Sequence, residues 1–283
     1  MVIVRLIDVS LATAFIAQIL PEPHAGLLSG ILFGVKSSIP YELKNSLQIT
    51  GTLHITALSG MNITILTGIF FSTFVAFLPR WVASILAIGV IGFFVWFVGP
   101  SPSVVRAAIM GCITLLTALT GYISIALFTW GITVVGMLVV YPSWVTDISF
   151  QLSALASLGM ILFSKQSSVY QTHNQQGTTW QIVAKNVYTW VQKELTTTLS
   201  AQVFTLPLIL FTFGRISLIS PLTNLLIGWT IPIITVLGLL LCLFGLFIPS
   251  VSYVLGWGTW VFLEFVIRIV LWTGGIPLAS IGR

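Results

Sequence analysis

An all-α bundle of membrane-spanning helices is the fold this sequence predicts, and three observations carry the prediction. Of its 283 residues, 57% are hydrophobic and only 6% are charged, whereas soluble domains carry about 25% charged residues. The mean hydropathy is +1.09. Charge-free stretches close to the roughly 20 apolar residues that a spanning helix needs recur along the chain, divided by turn-forming segments. This composition excludes an ordinary soluble enzyme and reads as one membrane-embedded domain over residues 1–283.

Taken in order, the candidate spans are 54–78, 81–99, 104–120, 123–141, 147–164, 196–213, 225–248 and 251–272, which places the count at about seven to nine. The breaks are chemical: "LPRW" at 78–81, "GPSPS" at 99–103, "YPSWVTD" at 141–147, "FGR" at 213–215 and "IPS" at 248–250. Residues 1–20 interleave Arg5 and Asp8 with apolar positions at helical spacing, the pattern of an amphipathic interfacial helix. They lack a small-residue cleavage site, so no signal peptide is legible. Residues 24–35 are apolar but too short to span, and read as half-inserted. Gly26, Gly30 and Gly34, four apart, form a ridge for close packing. The one sizeable polar segment, 165–193, reads as a loop ending in a short amphipathic stretch.

Charge and cysteine content add little. The net charge of +5 suits anionic headgroups or a polyanionic cargo equally, and lysine and arginine divide too evenly between the two sides to orient the chain. Cys112 and Cys242 lie far apart in apolar runs, with no metal or redox spacing. No cofactor motif is present.

The polar residues inside the apolar stretches are the informative ones. Each costs about 2.5–3.5 kcal/mol at mid-membrane when charged or strongly polar, so such residues face the bundle interior or a wet cavity. "GTLHITALSGMNITIL" carries His54, Ser59 and Asn62, and on one helix Thr56, Ser59 or Gly60, Ile63 and Thr67 would form a narrow small-and-polar stripe. Helix packing explains the threonines; His54 and Asn62 exceed what packing needs. "SPSVVRAAIM" places Arg106 one turn into a helix, either snorkelling to the interface or holding a phosphate or carbonyl. In "DISFQLSALASLGMI", Asp147 suits a helix N-terminus, Gln151 has no such excuse, and Ser153 lies on the small-residue face. "ELTTTLSAQVFTLPL" aligns Glu194, Thr198, Gln202 and Thr205 on one face, ahead of Pro207. Asn224 lies between Pro221 and Pro232, a discontinuous-helix pattern. The stripes of 54–67, 149–156 and 194–205 are expected to meet in one polar cavity.

These motifs, in this order and spacing, resemble the membrane domain of the ComEC competence family. The stretches that carry the likeness are "GTLHITALSGMNITIL", "PSVVRAAIMG", "DISFQLSALASLGMILF" and "LSAQVFTLPLILFTFGRISLISPLTNLL", and it runs from about residue 22 to about residue 250. The family's first motif usually ends in a second histidine; here Asn62 stands in its place, keeping a hydrogen-bonding amide but no imidazole. The resemblance implies a multi-pass protein of the bacterial cytoplasmic membrane that conducts single-stranded DNA during natural transformation. His54, Ser59, Asn62, Arg106, Gln151, Ser153, Gln202 and Asn224 would line the path. It also implies dealings with a separate nuclease, a DNA receptor and a cytoplasmic helicase or translocase. Full-length relatives carry a metallo-β-lactamase-like nuclease domain whose H-x-H-x-D-H cluster does not occur here, so the expected role is transport rather than catalysis. Purified chain is expected to show no metal-dependent nuclease activity.

Two other functions compete. A small-solute transporter would use a discontinuous-helix site, although no inverted repeat is visible. An intramembrane serine hydrolase would pair Ser59 with His54, yet on one helix these stand about 140° apart, so activation would need a break in that helix.

Overall fold

The computed structural model describes residues 9–58, 60–120, 125–163, 179–245, 247–277 and 280–282. The chain is a helical bundle completed by a two-stranded ribbon. It begins with α1 (Val9–Ile19) and α2 (His24–Phe33). Every residue of α2 is buried, so this short apolar segment is a central helix enclosed by protein. Its end is set by Gly34, whose φ of 73° is a left-handed cap; the Gly34 amide donates to the Gly30 carbonyl at 2.9 Å. Helix α3 (Tyr41–Ile49) follows, then a 3-10 turn over Leu53–Thr56.

Next come α4 (Gly60–Phe77), α5 (Arg80–Val98), α6 (Pro102–Thr120) and α7 (Ala126–Val140). A second 3-10 turn (Pro142–Thr146) leads into α8 (Ile148–Phe163), and α9 covers Thr179–Phe213. Strand β1 (Arg215–Ser217), α10 (Ser220–Gly228), α11 (Thr230–Phe244), α12 (Pro249–Gly274) and β2 (Ser280–Gly282) complete the order. The two strands pair antiparallel, with Ile216 opposite Ile281.

Five described helices are long and apolar enough to cross a membrane: α4, α5, α6, α9 over Lys185–Thr212, and α12. Helices α10 and α11, bent by 48° at their junction, together make a sixth. The two remaining predicted spans are the apolar helices α7 and α8, of 15 and 16 residues. At 1.5 Å per residue these reach roughly 22–24 Å, short of the ~30 Å hydrocarbon core. The polytopic transmembrane bundle is therefore the observed architecture.

Two apolar cores hold it together. One gathers α1, α2, α3, α10, α11 and α12 around Leu28, Ile31, Ile234 and Val266. The other joins α4, α5 and α6 through Ile63, Ala87, Ile91 and Val104. Helices α8 and α9 meet where Gly159 lies against the Ser200 carbonyl, an approach that only a residue without Cβ permits. Large side chains on the outside, among them Phe128, Val135, Tyr253 and Trp257, are exposed, as lipid contact requires.

Four sequence expectations need revision. The span placed at 54–78 begins at Gly60, because 53–56 winds as a separate 3-10 turn. Thr56 therefore does not share a helix with Ile63 and Thr67, and the proposed stripe is interrupted. The polar loop at 165–193 is helical from Thr179 onward and continuous with the span behind it; its periodic Val187, Trp190 and Val191 are compatible with helix once tertiary context extends it. Of the helix expected at 1–20, residues 1–8 lie outside the described residues. The rest is the apolar α1, packed against α2, α11 and α12 with Ile16 buried.

Candidate functional site

The segment 51–60, between α3 and α4, organises the polar residues. Thr50, Thr52 and Thr56 turn their hydroxyls inward: Thr56 Oγ1 donates to the Leu53 carbonyl at 2.8 Å, and the Thr50 and Thr52 hydroxyls bond each other at 2.8 Å. Such local bonds compete with regular α-helix. They account for a tight turn in a stretch whose apolar content alone suggests continuous helix. Gly51 has a φ of 67° and packs its backbone so closely on α10 that an added Cβ would lie 3.0 Å from the Ser220 hydroxyl. His54 is exposed, and its Nδ1–H donates to the Gly51 carbonyl at 3.0 Å. Its Nε2 is then the free acceptor of the neutral ring.

At the far end of this segment stands Arg106. Its Nε donates to Ser153 Oγ of α8 at 2.8 Å, and Nη1 approaches Met110 Sδ at 3.5 Å. Nη2 lies 3.2 Å from where a Cβ of Gly60 would be, so the guanidinium is set beside the first residue of α4. One turn earlier on α6, Ser103 Oγ donates to the Leu58 carbonyl at 2.9 Å, fixing the approach to α4. Arg106 is half-buried, and no carboxylate forms a salt bridge with it among the described residues. The arrangement joins an uncompensated cation to a helix N-terminus, whose first amides lack intrahelical acceptors. Both features attract an anion.

A second polar cluster lies where α9 meets α10. Gln202 Nε2 donates to Ser220 Oγ at 2.9 Å, and Asn224 Nδ2 approaches the same oxygen at 3.4 Å. Since Gly51 packs on Ser220, this cluster adjoins the start of the 51–60 segment. Nearby, the Glu194 carboxylate is positioned against Gly228, where a Cβ would come within 2.8 Å of Oε1.

The predicted site residues thus fall into groups at the two ends of one short segment, not around a single cavity. His54, Gln202 and Asn224 belong to one end; Arg106 and Ser153 belong to the other. Asn62 is buried and donates from Nδ2 to the Ile31 carbonyl of α2 at 2.6 Å. Gln151 donates to the Val145 carbonyl at 2.7 Å, closing the turn that precedes its own helix. Ser59 lies outside the described residues. The 3-10 turn that carries His54 ends at Thr56, where Ala57 is extended, so His54 does not lie on α4.

Sequence reasoning missed one constellation. His24 of α2, buried, meets Glu264 of α12, with Nε2 and Oε2 2.9 Å apart. Arg268 Nε donates to the other carboxylate oxygen at 2.6 Å. The His24 ring stacks on Trp260 at 5.4 Å. The available signal was chemical: a lone histidine in one apolar helix and a lone glutamate in another, each needing a partner inside a membrane.

Comparison with known proteins then decides the family. A model of the family described as "Competence protein" matches residues 31–282. The chain belongs to the competence protein family. Over 214 residues this competence-family chain is 28% identical to ComE operon protein 3 of Bacillus subtilis (strain 168), covering 75% of the chain and 25% of that protein. Over 263 residues it is 26% identical to the uncharacterized protein YcaI of Escherichia coli (strain K12), covering 89% of the chain and 33% of that protein. The competence-family chain therefore spans about a quarter to a third of these curated relatives. No solved structure matches it. Both polar clusters and Glu264 fall within the family match, whereas His24 precedes it.

Proposed function

We propose that this competence-family chain is the membrane conduit for single-stranded DNA at the bacterial cytoplasmic membrane during natural transformation. The observation that carries the reading is the Arg106 guanidinium set beside the N-terminus of α4, with no carboxylate bridged to it among the described residues. A planar fork beside a helix N-terminus suits a phosphate diester. Ser153 holds the fork by its Nε, which leaves Nη2 turned to Gly60 and free of a hydrogen-bond partner among the described residues. At the other end of the 51–60 segment, exposed His54 and the amides of Gln202 and Asn224 offer neutral polar contacts.

A strand passing along this segment meets one cationic contact and several weak ones. That balance favours conduction, because strong binding at every step would trap the cargo. We assign strand degradation, DNA capture and mechanical pulling to a nuclease, a receptor and a helicase or translocase outside residues 1–283.

The small-solute alternative would draw on the 48° bend between α10 and α11. There the Thr230 hydroxyl donates to the Ile227 carbonyl at 2.6 Å, so that carbonyl is already engaged. The direct test is flux into liposomes containing the chain, with a labelled single-stranded oligonucleotide compared against amino acids and sugars. Oligonucleotide entry lost on Arg106→Ala supports the conduit. Entry of small solutes alone refutes it.

A further inference from the structure

The His24–Glu264 pair lies away from the polar segment, yet α2 connects the two. The helix is about 15 Å long, with His24 at its first residue. Toward its other end, Ile31 accepts the Asn62 amide at 2.6 Å. On either side of Ile31, two glycines pack closely on the 56–58 stretch: a Cβ on Gly30 would lie 3.2 Å from Thr56 Cβ, and one on Gly34 would lie 3.1 Å from the Leu58 side chain. Any shift of α2 is therefore felt at Thr56, Leu58 and Asn62.

The bonding of His24 is incomplete in an informative way. Glu264 accepts at Oε2 from Nε2–H, and at Oε1 from Arg268. Nδ1 is buried and without a hydrogen-bond partner among the described residues. As a bare acceptor in the neutral ring, Nδ1 is tolerated there. Once protonated it becomes a donor with no acceptor, which burial penalises. The countercharge for an imidazolium is already in place at Glu264, but the acceptor for its second N–H is not. Proton uptake and the present seating of α2 are thus in conflict.

The charged neighbours are few. Glu264 and Arg268 face His24 from α12, and Glu22 precedes it, with its Oε2 accepting the Gly26 amide at 3.1 Å. Helix α1, over its described length, carries no charged residue; α11 contributes only Cys242 as a titratable group, and the 3-10 turn only His54. Access is available through the partly exposed Glu264 and the exposed Arg268. A pocket of about 240 Å³ lined by Leu20, Pro21, Gly256 and Trp260 also borders the ring on which His24 stacks.

We propose that His24 and Glu264 form a proton-binding site inside the membrane domain, and that proton uptake there reseats α2 against Thr56, Leu58 and Asn62. The proton comes from water and adds to the Nδ1 lone pair; Nε2–H and the carboxylate keep their bond, and no covalent bond breaks. Reseating gives Nδ1–H an acceptor and alters the polar segment at the far end of α2.

The site is tested on the protein in lipid nanodiscs by 15N NMR of its three histidines. His54→Gln and His173→Gln each remove one signal and so assign His24. The expected result is conversion of His24 from the Nε2–H form to the doubly protonated form as the pH is lowered over the range in which the protein stays folded. A ring that stays in one state throughout overturns the site.

Coupling is read by maleimide labelling of His54→Cys in a Cys112→Ala, Cys242→Ala background. Its rate is taken relative to the same chemistry at Phe247→Cys, an exposed control position. The ratio is expected to change about twofold or more at the NMR midpoint, and Glu264→Gln is expected to remove the step. A flat ratio, a step that survives Glu264→Gln, or two midpoints that disagree in the chain with native His24 and Glu264 overturns the coupling.

Discussion

Asn62 at the start of α4 donates to the Ile31 carbonyl of the buried helix α2 at 2.6 Å. The bond links α2, in one apolar core, to α4, in the other, across the segment that carries His54 and Gly60. Replacing Asn62 with leucine removes the donor and leaves a buried carbonyl unsatisfied, at a cost of about 1–3 kcal/mol. Thermal unfolding in detergent is expected to show the loss, and an unchanged transition would mean that the bond is replaceable.

Arg106 offers a sharper functional test. Lysine at this position keeps the charge and the snorkelling reach but loses the planar fork and the Nε bond to Ser153. Arg106→Lys is expected to lower DNA uptake about tenfold or more, equivalent to about 1.4 kcal/mol, while expression and folding stay intact. Transformation frequency in a complemented strain measures it, and normal uptake in the Arg106→Lys strain would remove the fork from the account.

Gly159 tests the packing of α8 on α9. An added Cβ meets the Ser200 carbonyl and comes within 3.0 Å of the Phe204 ring. Backbone does not yield as a flexible side chain does, so Gly159→Ala is expected to destabilise by about 1–3 kcal/mol. Gly131→Ala on α7 is the control, since nothing lies within 4 Å there. Parallel unfolding curves should separate the two variants clearly.

Ser220 is shared by Gln202 and Asn224. Ser220→Ala is expected to cost about 0.5–1.5 kcal/mol through the lost acceptor. Combining it with Gln202→Ala should cost less than the sum of the separate changes, because both delete the same bond. A double-mutant cycle on unfolding free energies decides this, and strict additivity would show that the contact carries no energy.

Much of the fold was legible because the bilayer leaves few options: apolar stretches near 20 residues become helices, and the predicted breaks at Pro79, Gly99 and Pro249 are where α5, α6 and α12 start anew. The Gly26–Gly30–Gly34 ridge was also legible, since closely packed helices need small residues. What failed was local. Threonine hydroxyls at 50, 52 and 56 wind the backbone into a tight turn that hydropathy does not register, so His54 was placed on the wrong element. The extension of α9 back to Thr179 was hidden because polar composition resembles a loop even where helical periodicity persists.

The candidate site was legible in parts. Arg106 and Ser153 stood out as unusual residues, and the structure bonds them to each other. Gln151 was singled out on the same grounds, yet it closes a turn at its own helix start. A long-range pair such as His24 and Glu264, 240 positions apart, leaves no spacing pattern. Only the rule that buried charges find partners pointed toward it.

The proposed conduit is tested most directly by cross-linking a stalled single strand to cysteines placed along its path. Positions 54, 58 and 202 lie along the 51–60 segment and its adjoining cluster, while Val135 and Trp257 are exposed on the outer apolar face. The account predicts DNA adducts at His54→Cys, Leu58→Cys and Gln202→Cys, and none at Val135→Cys or Trp257→Cys. Adducts at the outer positions alone, or at none of the five while uptake proceeds, would contradict it.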